Sequence, residues 1–370
     1  MIEVKKLFKF LKKNKINFFT GVPDSILKET SNYLSNKKIK EHMITANEGS
    51  AVALAIGYNL ATKKIPCVYL QNSGLGNAIN PLISIAHKKI YSIPMILLIG
   101  WRGLPGISDE PQHKVKGLIT RKLLNLMNIK HCVLKNKSDF KKLKNLIHYS
   151  KHKSSPVACL IPKNTFKKVK LNKKPTKKNK FNIKRTNVIS NLLKIINTSD
   201  KLIATTGFTS RELYQLRQVE NTNKGSDFYM VGGMGHASMV SLGVSMYTKK
   251  KVICLDGDGS FLMHLGSIVG VSKIKNNNFK HILFNNFSHE SVGGQPTYIE
   301  NLNLKKLINS VNYKNYFKIS SKSQVSKILR KFLNSKGPSF LEVCINQGSI
   351  ENLGRPKKLI NIKNRFIRKF

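Results

Sequence analysis

Long apolar runs, paired cysteines and acidic residues are all in short supply in this chain, and so, among its cations, is arginine. No apolar stretch reaches the roughly 18–20 residues that a membrane span needs; the longest, Ile93 to Ile99, has the length of a strand. The basic N-terminus, MIEVKKLFKFLKKNKINF, places its apolar residues at helical spacing rather than in one block and lacks a small-residue cleavage site. It therefore does not read as a signal peptide, and a cytoplasmic chain with no membrane partner is expected. The five cysteines (Cys67, Cys132, Cys159, Cys254, Cys344) include no CxxC pair, and all but Cys132 sit inside short apolar runs. That pattern speaks against a zinc site and for buried free thiols in a reducing compartment.

The shortage of acids is the most conspicuous feature of the composition. Eighteen Asp and Glu face 65 Lys and Arg, a formal net charge of +47. A nucleic-acid binder is the obvious alternative for such a chain. Only nine of the 65 cations are Arg, however, the residue that phosphate and base readout favour. Lys is spread along the whole sequence with abundant Asn and Ile, as AT-rich codon usage would produce. No nucleic-acid partner is expected, although the charge should draw anionic substrates and cofactors.

A length of 370 residues and 41% hydrophobic content suit two domains with proper cores. Up to about residue 165 the chain alternates helix and strand. Lys5–Lys13 is amphipathic; Asn17–Gly21, Met43–Ala46, Pro66–Gln71, Ile93–Ile99 and Val157–Ile161 read as strands. A helix is expected from Ser25, which can cap it, and further helices over Glu48–Lys63 and Asn77–His87. Residues 166–185 are poor in apolar side chains, and ten of the twenty are Lys or Arg, which marks a linker. A second series follows: the strands Leu202–Ala204, Val252–Leu255, His281–Phe284 and Ser339–Cys344, with helices over His236–Tyr247 and Phe261–Lys273. Two such series predict an α/β chain of two doubly wound parallel-sheet domains, with ligands at the C-terminal ends of the strands.

The strongest motif lies in the second series. Lys251-Val-Ile-Cys-Leu-Asp-Gly257-Asp258-Gly259-Ser260 delivers Asp258 to a Gly–Asp–Gly turn, and Asn285-Asn286 begins 26 residues after Gly259, at the end of the next strand. The glycines allow backbone amides to approach phosphate oxygens. A carboxylate, an amide oxygen and a backbone carbonyl, with two diphosphate oxygens, form the hard shell that Mg²⁺ requires. This strand–GDG–helix–strand–NN arrangement resembles the signature of the thiamine-diphosphate-dependent enzymes. The resemblance implies thiamine diphosphate and Mg²⁺ as cofactors, with Asp258, Asn286 and the Ser288 carbonyl as metal ligands and Gly257, Gly259 and Ser260 at the diphosphate. It divides the chain into a pyrimidine-binding domain (1–165), the basic linker (166–185) and a diphosphate-binding domain (186–370), with no middle domain.

Thiamine chemistry also needs a carboxylate against the aminopyrimidine ring. Ala46-Asn47-Glu48-Gly49 puts Glu48 at the end of an apolar strand and the start of an Ala-rich helix. Gly232-Gly233-Met234-Gly235-His236 resembles the segment that wedges an apolar side chain beneath the cofactor, with Gly233 and Met234 touching it. By the resemblance Glu48 and Met234 meet across a subunit interface, so a homodimer or homotetramer is expected.

Further blocks are similar to the phosphonopyruvate decarboxylases over nearly the full length, and to the related sulfopyruvate decarboxylases. They are Thr20-Gly-Val-Pro-Asp-Ser25, Gln71-Asn-Ser-Gly-Leu-Gly-Asn77, Trp101-Arg-Gly103, Asp109-Glu-Pro-Gln-His113, Asn285 through His289-Glu-Ser-Val-Gly-Gly-Gln295, and Asn352-Leu-Gly-Arg-Pro356. The resemblance implies non-oxidative decarboxylation of 3-phosphonopyruvate to phosphonoacetaldehyde through a thiamine diphosphate ylide, in phosphonate (2-aminoethylphosphonate-type) biosynthesis. Sulfopyruvate is the alternative small anionic 2-oxo acid. Asp24, His113 and His289 are the candidate proton donors. Ser25, Arg102, Ser291, Gln295 and Arg355 are the candidate substrate contacts, the two arginines because a guanidinium grips a phosphonate bidentately.

Overall fold

The computed structural model describes residues 1–168, 181–220, 224–274 and 276–369. The chain divides into two compact units, Met1–Asn172 with Val292–Gln295, and Lys173–Ser291 with Pro296–Phe370. Most of the basic stretch expected as a linker, residues 169–180, lies outside the described residues. Its two ends do not behave as linker. Phe166 is buried and bridges to Ile2, and Arg185 opens the helix Arg185–Ile195 as a buried side chain.

The first unit holds β1 (Phe19–Gly21), β2 (His42–Ile44), β3 (Cys67–Gln71), β4 (Met95–Trp101), β5 (Lys130–Val133) and β6 (Pro156–Pro162) in one parallel sheet, ordered β2-β1-β3-β4-β6-β5. Alternate residues leave a strand on opposite faces, and both faces here are covered. Cys67, Tyr69, Ile96 and Leu98 join one core with Leu7, Phe8 and Leu11 of the N-terminal helix. Val68, Leu70, Leu97 and Ile99 join another with Ala51, Val52 and Ala55 of the helix Glu48–Thr62. That double burial is why the strands read as unbroken apolar runs.

The second unit repeats the plan. Its strands are β7 (Lys201–Ala204), β8 (Ser226–Tyr229), β9 (Val252–Gly257), β10 (Phe279–Asn285), β11 (Asn315–Ile319) and β12 (Ser339–Cys344), all parallel and ordered β11-β12-β10-β9-β7-β8. Counted within each unit, both sheets run 2-1-3-4-6-5. The chain therefore leaves its first strand in one direction and its third in the other, and the C-terminal ends of those two strands are the switch point where sheets of this kind bind ligands in a crevice. In the first unit that point is bounded by the segments after β1 and β3; in the second, by those after β7 and β9.

Several elements differ from the sequence expectation. The helix expected from Ser25 begins at Lys28, and Ser25 does not cap it; the Asp24 carboxylate takes the Leu27 amide instead, at 3.1 Å. The helix expected over Asn77–His87 starts earlier, at Leu75, and passes Pro81 into a π-helical turn, Leu82–Ala86. The helix expected over Phe261–Lys273 is two, Asp258–Met263 and Ser267–Ile274. The strands β5, β8 and β11 have no counterpart in the sequence reading. All three are edge strands with half-exposed residues, so neither a solid apolar run nor a clean alternation marks them. Among the described residues no helix is long and apolar enough to cross a membrane.

Candidate active site

In the first unit, Glu48 is placed by the helix it begins. Asn47 adopts an extended backbone and its side chain caps the Ser50 amide at 2.9 Å, which brings Glu48 into the first turn, just beyond β2. Glu48 is buried, and its Oε2 accepts from Asn77 Nδ2 at 2.8 Å. Gly74, just after β3, leaves room for it: a Cβ there would lie 1.9 Å from Glu48 Oε1.

Asp24 lies just beyond β1 and is buried. Burial pushes its carboxyl up to about 6, against the pull of the Ile26, Leu27 and Ser25 amides and of Arg102. Arg102 follows β4. Its Nε donates to Asp109 Oδ2 at 2.7 Å and its Nη2 to Asp109 Oδ1, while Nη1 donates to Ser25 Oγ at 3.1 Å. Asp109 also accepts the Gly103 and Glu110 amides, each at 2.8 Å. Burial would raise the Asp109 carboxyl, but the Arg102 and amide hydrogen bonds outweigh it and hold it well below the usual range. The bidentate edge of Arg102 is thus taken by Asp109. The double grip on substrate that the sequence suggested is not open to it, and only the Nη1 side, beside Ser25, faces elsewhere. His113 is half-buried in the first turn of the helix Pro111–Leu126, and Gln295 is buried.

In the second unit, the GDG turn closes β9. Asp258 is buried; its Oδ1 accepts the Gly259 amide at 3.0 Å, and its Oδ2 accepts the Ser288 amide at 3.1 Å and Thr297 Oγ1 at 3.0 Å. Burial pushes this carboxyl up to about 7, the three donors pulling the other way. Of the two asparagines ending β10, Asn285 donates to Glu342 on β12 at 2.9 Å. Asn286 turns to the site, and its Oδ1 accepts the same Ser288 amide at 3.1 Å. Between them Phe287 takes a left-handed conformation, φ 60°, a strained backbone of the kind found at functional sites. One amide, Ser288, therefore draws both expected ligand oxygens together.

Above the turn, Gly259 has no room for a side chain. A Cβ there would lie 2.7 Å from His289 Nδ1 and 3.3 Å from the Met234 methyl. Met234 follows Gly233, itself at φ 67°, and is half-buried. The Ser260 hydroxyl meets Thr205 Oγ1 at 2.8 Å and the Gly235 amide at 3.0 Å, so it ties the segments after β7 and β9 to the Met234 loop. Burial lowers His289 to about 4. Gly257 closes β9 with its amide on Asp256 at 2.9 Å. Ser291 and Arg355 are exposed.

Asp258, Asn286, Ser288, Met234, Gly259 and His289 are thus brought together in the second unit, and Asp24, Ser25 and Arg102 in the first. Asn77, Asp109, Thr205, Thr297 and Glu290 complete these clusters and were missed. Asn77, Asp109 and Glu290 stood within matched motifs without an assigned role. Thr297 lies 39 residues from its partner, a separation that no local pattern signals.

The two units match different parts of one known family. Residues 4–122 match the N-terminal TPP binding domain of the thiamine pyrophosphate enzymes, and residues 205–343 their C-terminal TPP binding domain. The phosphonopyruvate decarboxylase of Streptomyces viridochromogenes is 32% identical over 354 residues, 91% of this chain and 87% of that protein. That of Streptomyces hygroscopicus is 31% identical, with 91% and 86% covered. The sulfopyruvate decarboxylase of Methanosarcina acetivorans is 26% identical over 93% of this chain and 91% of its own length. The chain belongs to the thiamine pyrophosphate enzymes. Within them it is a thiamine-diphosphate-dependent 2-oxo acid decarboxylase similar to the phosphonopyruvate decarboxylases.

The Glu48–Gly74 approach gives a test of the first cluster. Gly74 has an ordinary backbone, φ −86°, so alanine brings no backbone strain there, and the three atoms nearest its Cβ all belong to the Glu48 side chain, which must shift. Gly74→Ala is expected to melt near the parent temperature while losing most of its turnover. Parent-like turnover would show that the Glu48 position does not matter.

Proposed function

We propose that the chain converts 3-phosphonopyruvate to phosphonoacetaldehyde and CO₂, with thiamine diphosphate held through Mg²⁺. The convergence of Asp258 Oδ2 and Asn286 Oδ1 on the Ser288 amide carries the metal part of this reading. A buried carboxylate pushed up to about 7 beside a neutral amide oxygen is a donor set short of positive charge, which suits a hard divalent cation. Asp258, Asn286 and the Ser288 carbonyl would hold Mg²⁺, and the Gly257–Ser260 turn the diphosphate. Bound thiamine diphosphate supplies a nucleophilic carbon and a sink for the electron pair left when CO₂ departs.

The chain's own residues divide the remaining work. Glu48 offers a buried carboxylate to the aminopyrimidine, and Met234 an apolar support beside the turn. Replacing the lost carboxylate by hydrogen consumes one proton. Asp24, pushed up to about 6, still holds one in a fraction of molecules near neutrality, whereas His289, lowered to about 4, is uncharged there. Asp24 is the better donor on that ground. Ser25 and the Nη1 side of Arg102, which donates to it, face the anionic end of the substrate.

As the resemblance to the family implies, we assign the active enzyme to a homodimer or homotetramer, which sedimentation checks. The substrate is favoured by the higher identity to phosphonopyruvate decarboxylases, 32% and 31%, than to the full-length sulfopyruvate enzyme, 26%. Turnover with phosphonopyruvate, sulfopyruvate and pyruvate under identical conditions decides it: phosphonopyruvate should have the highest kcat/KM, and turnover of sulfopyruvate alone would overturn the assignment.

A further inference from the structure

A carboxamide can present either oxygen or nitrogen to a cation, and only the oxygen binds one. Something must therefore hold Asn286 the right way round. Its Nδ2 donates to Glu290 Oε2 at 2.9 Å, while its Oδ1 accepts from Ser288. A carboxylate only accepts, so a flipped amide would set oxygen against oxygen at Glu290 and NH₂ against N–H at Ser288. Glu290 is itself fixed on both oxygens: Oε1 accepts the Gly348 amide, and Oε2 also accepts Arg185 Nη2 at 3.2 Å. Arg185 in turn donates Nη1 to Glu212 Oε2 at 3.1 Å. The three side chains are 5% (Arg185), 1% (Glu212) and 15% (Glu290) exposed. One guanidinium thus stands between two carboxyl groups, one hydrogen bond behind Asn286.

We infer that Glu290, held by Arg185 and Glu212, is a positioning residue that turns the Asn286 oxygen toward the metal and strengthens cation binding. This rests on Asn286 being a Mg²⁺ ligand. Partners behind a metal ligand commonly change metal affinity by roughly 10–100-fold when removed. The fold should survive loss of Glu290, because Arg185 keeps Glu212 as a neutralising partner.

The test is a calorimetric Mg²⁺ titration of the full chain at saturating thiamine diphosphate, with apo melting temperatures recorded alongside. Glu290→Ala should weaken Mg²⁺ by roughly 10–100-fold with little change in melting, and Glu290→Gln, which keeps an acceptor, should lose less. Adding Asn286→Asp to Glu290→Ala should recover several-fold, since a carboxylate offers oxygen in either orientation. Glu290→Ala within about twofold of the parent, or weakening that Asn286→Asp fails to relieve, overturns the positioning role. The single variant Asn286→Ala separates the two failures: if it binds Mg²⁺ like the parent, the ligand reading itself falls and the positioning role with it. If it loses binding while Glu290→Ala does not, only the positioning role falls.

Discussion

Glu48→Gln is expected to bind thiamine diphosphate and Mg²⁺ within a few-fold of the parent and to turn over roughly 10²–10⁴ times more slowly, the usual range for loss of a positioned acid–base group. The substitution is nearly isosteric, and the glutamine oxygen can still accept from Asn77 Nδ2, which lies 2.8 Å from the carboxylate. The buried first turn and its Asn47 cap remain. What disappears is the carboxylate that would exchange a proton with the heterocycle facing it. Calorimetry and CO₂ release measure the two halves of the expectation. Deuterium exchange at the bound cofactor's reactive carbon isolates the step that Glu48 serves. Equal turnover of variant and parent would remove Glu48 from the chemistry.

How far the sequence could be read depended on how local each signal was. The GDG turn and Asn286 were legible because each ends an apolar strand, and the strands are apolar because both faces of each sheet are covered. The edge strands β5, β8 and β11 were not, since half-exposed pairing leaves no period to detect. Arg102 was legible as a cation near the site, but its capture by Asp109 depends on a loop conformation that composition does not encode. Arg185 was hidden most completely. A window dense in lysine assigned it to a linker, while its partners Glu212 and Glu290 stand 27 and 105 residues away.

The scarcity of acids takes on a meaning that composition alone could not supply. Of 18 Asp and Glu, eight are buried: Asp24, Glu48, Asp139, Asp200, Glu212, Asp256, Asp258 and Glu342. Acids seldom occupy interiors unless a partner or a function holds them there. Three of the eight, Asp24, Glu48 and Asp258, lie in the two clusters at the strand ends, and Glu212 anchors Arg185 behind Asn286. The lysine-rich exterior and the acid-bearing sites are thus separate features. Among the described residues only Lys201, Lys280 and Arg185 of the cations are buried, and the chemistry belongs to the few carboxylates left inside.

Asp258→Ala should abolish Mg²⁺-dependent cofactor binding, and the pH dependence of the parent should identify the group responsible. In the ligand-free chain the folded-state value of Asp258 is about 7, against roughly 3.9 for an unperturbed aspartate. A raised carboxyl contributes stability that is complete below about pH 4 and is lost as pH rises through about 7. The ligand-free parent should therefore lose ground to Asp258→Ala progressively between about pH 4 and 7, even though the variant leaves the Ser288 amide and the Thr297 hydroxyl without their acceptor. Mg²⁺ reverses the sign, because it binds only the ionised form and must displace the proton. Apparent Mg²⁺ affinity in the parent should fall by up to roughly tenfold for each pH unit below 7. Thermal melts across this range, with and without Mg²⁺ and thiamine diphosphate, read both effects. A parent whose Mg²⁺ affinity is flat from pH 5 to 8 would show that the proton sits elsewhere. An Asp258→Ala chain still stabilised by Mg²⁺ and cofactor together would remove this carboxylate from the metal site.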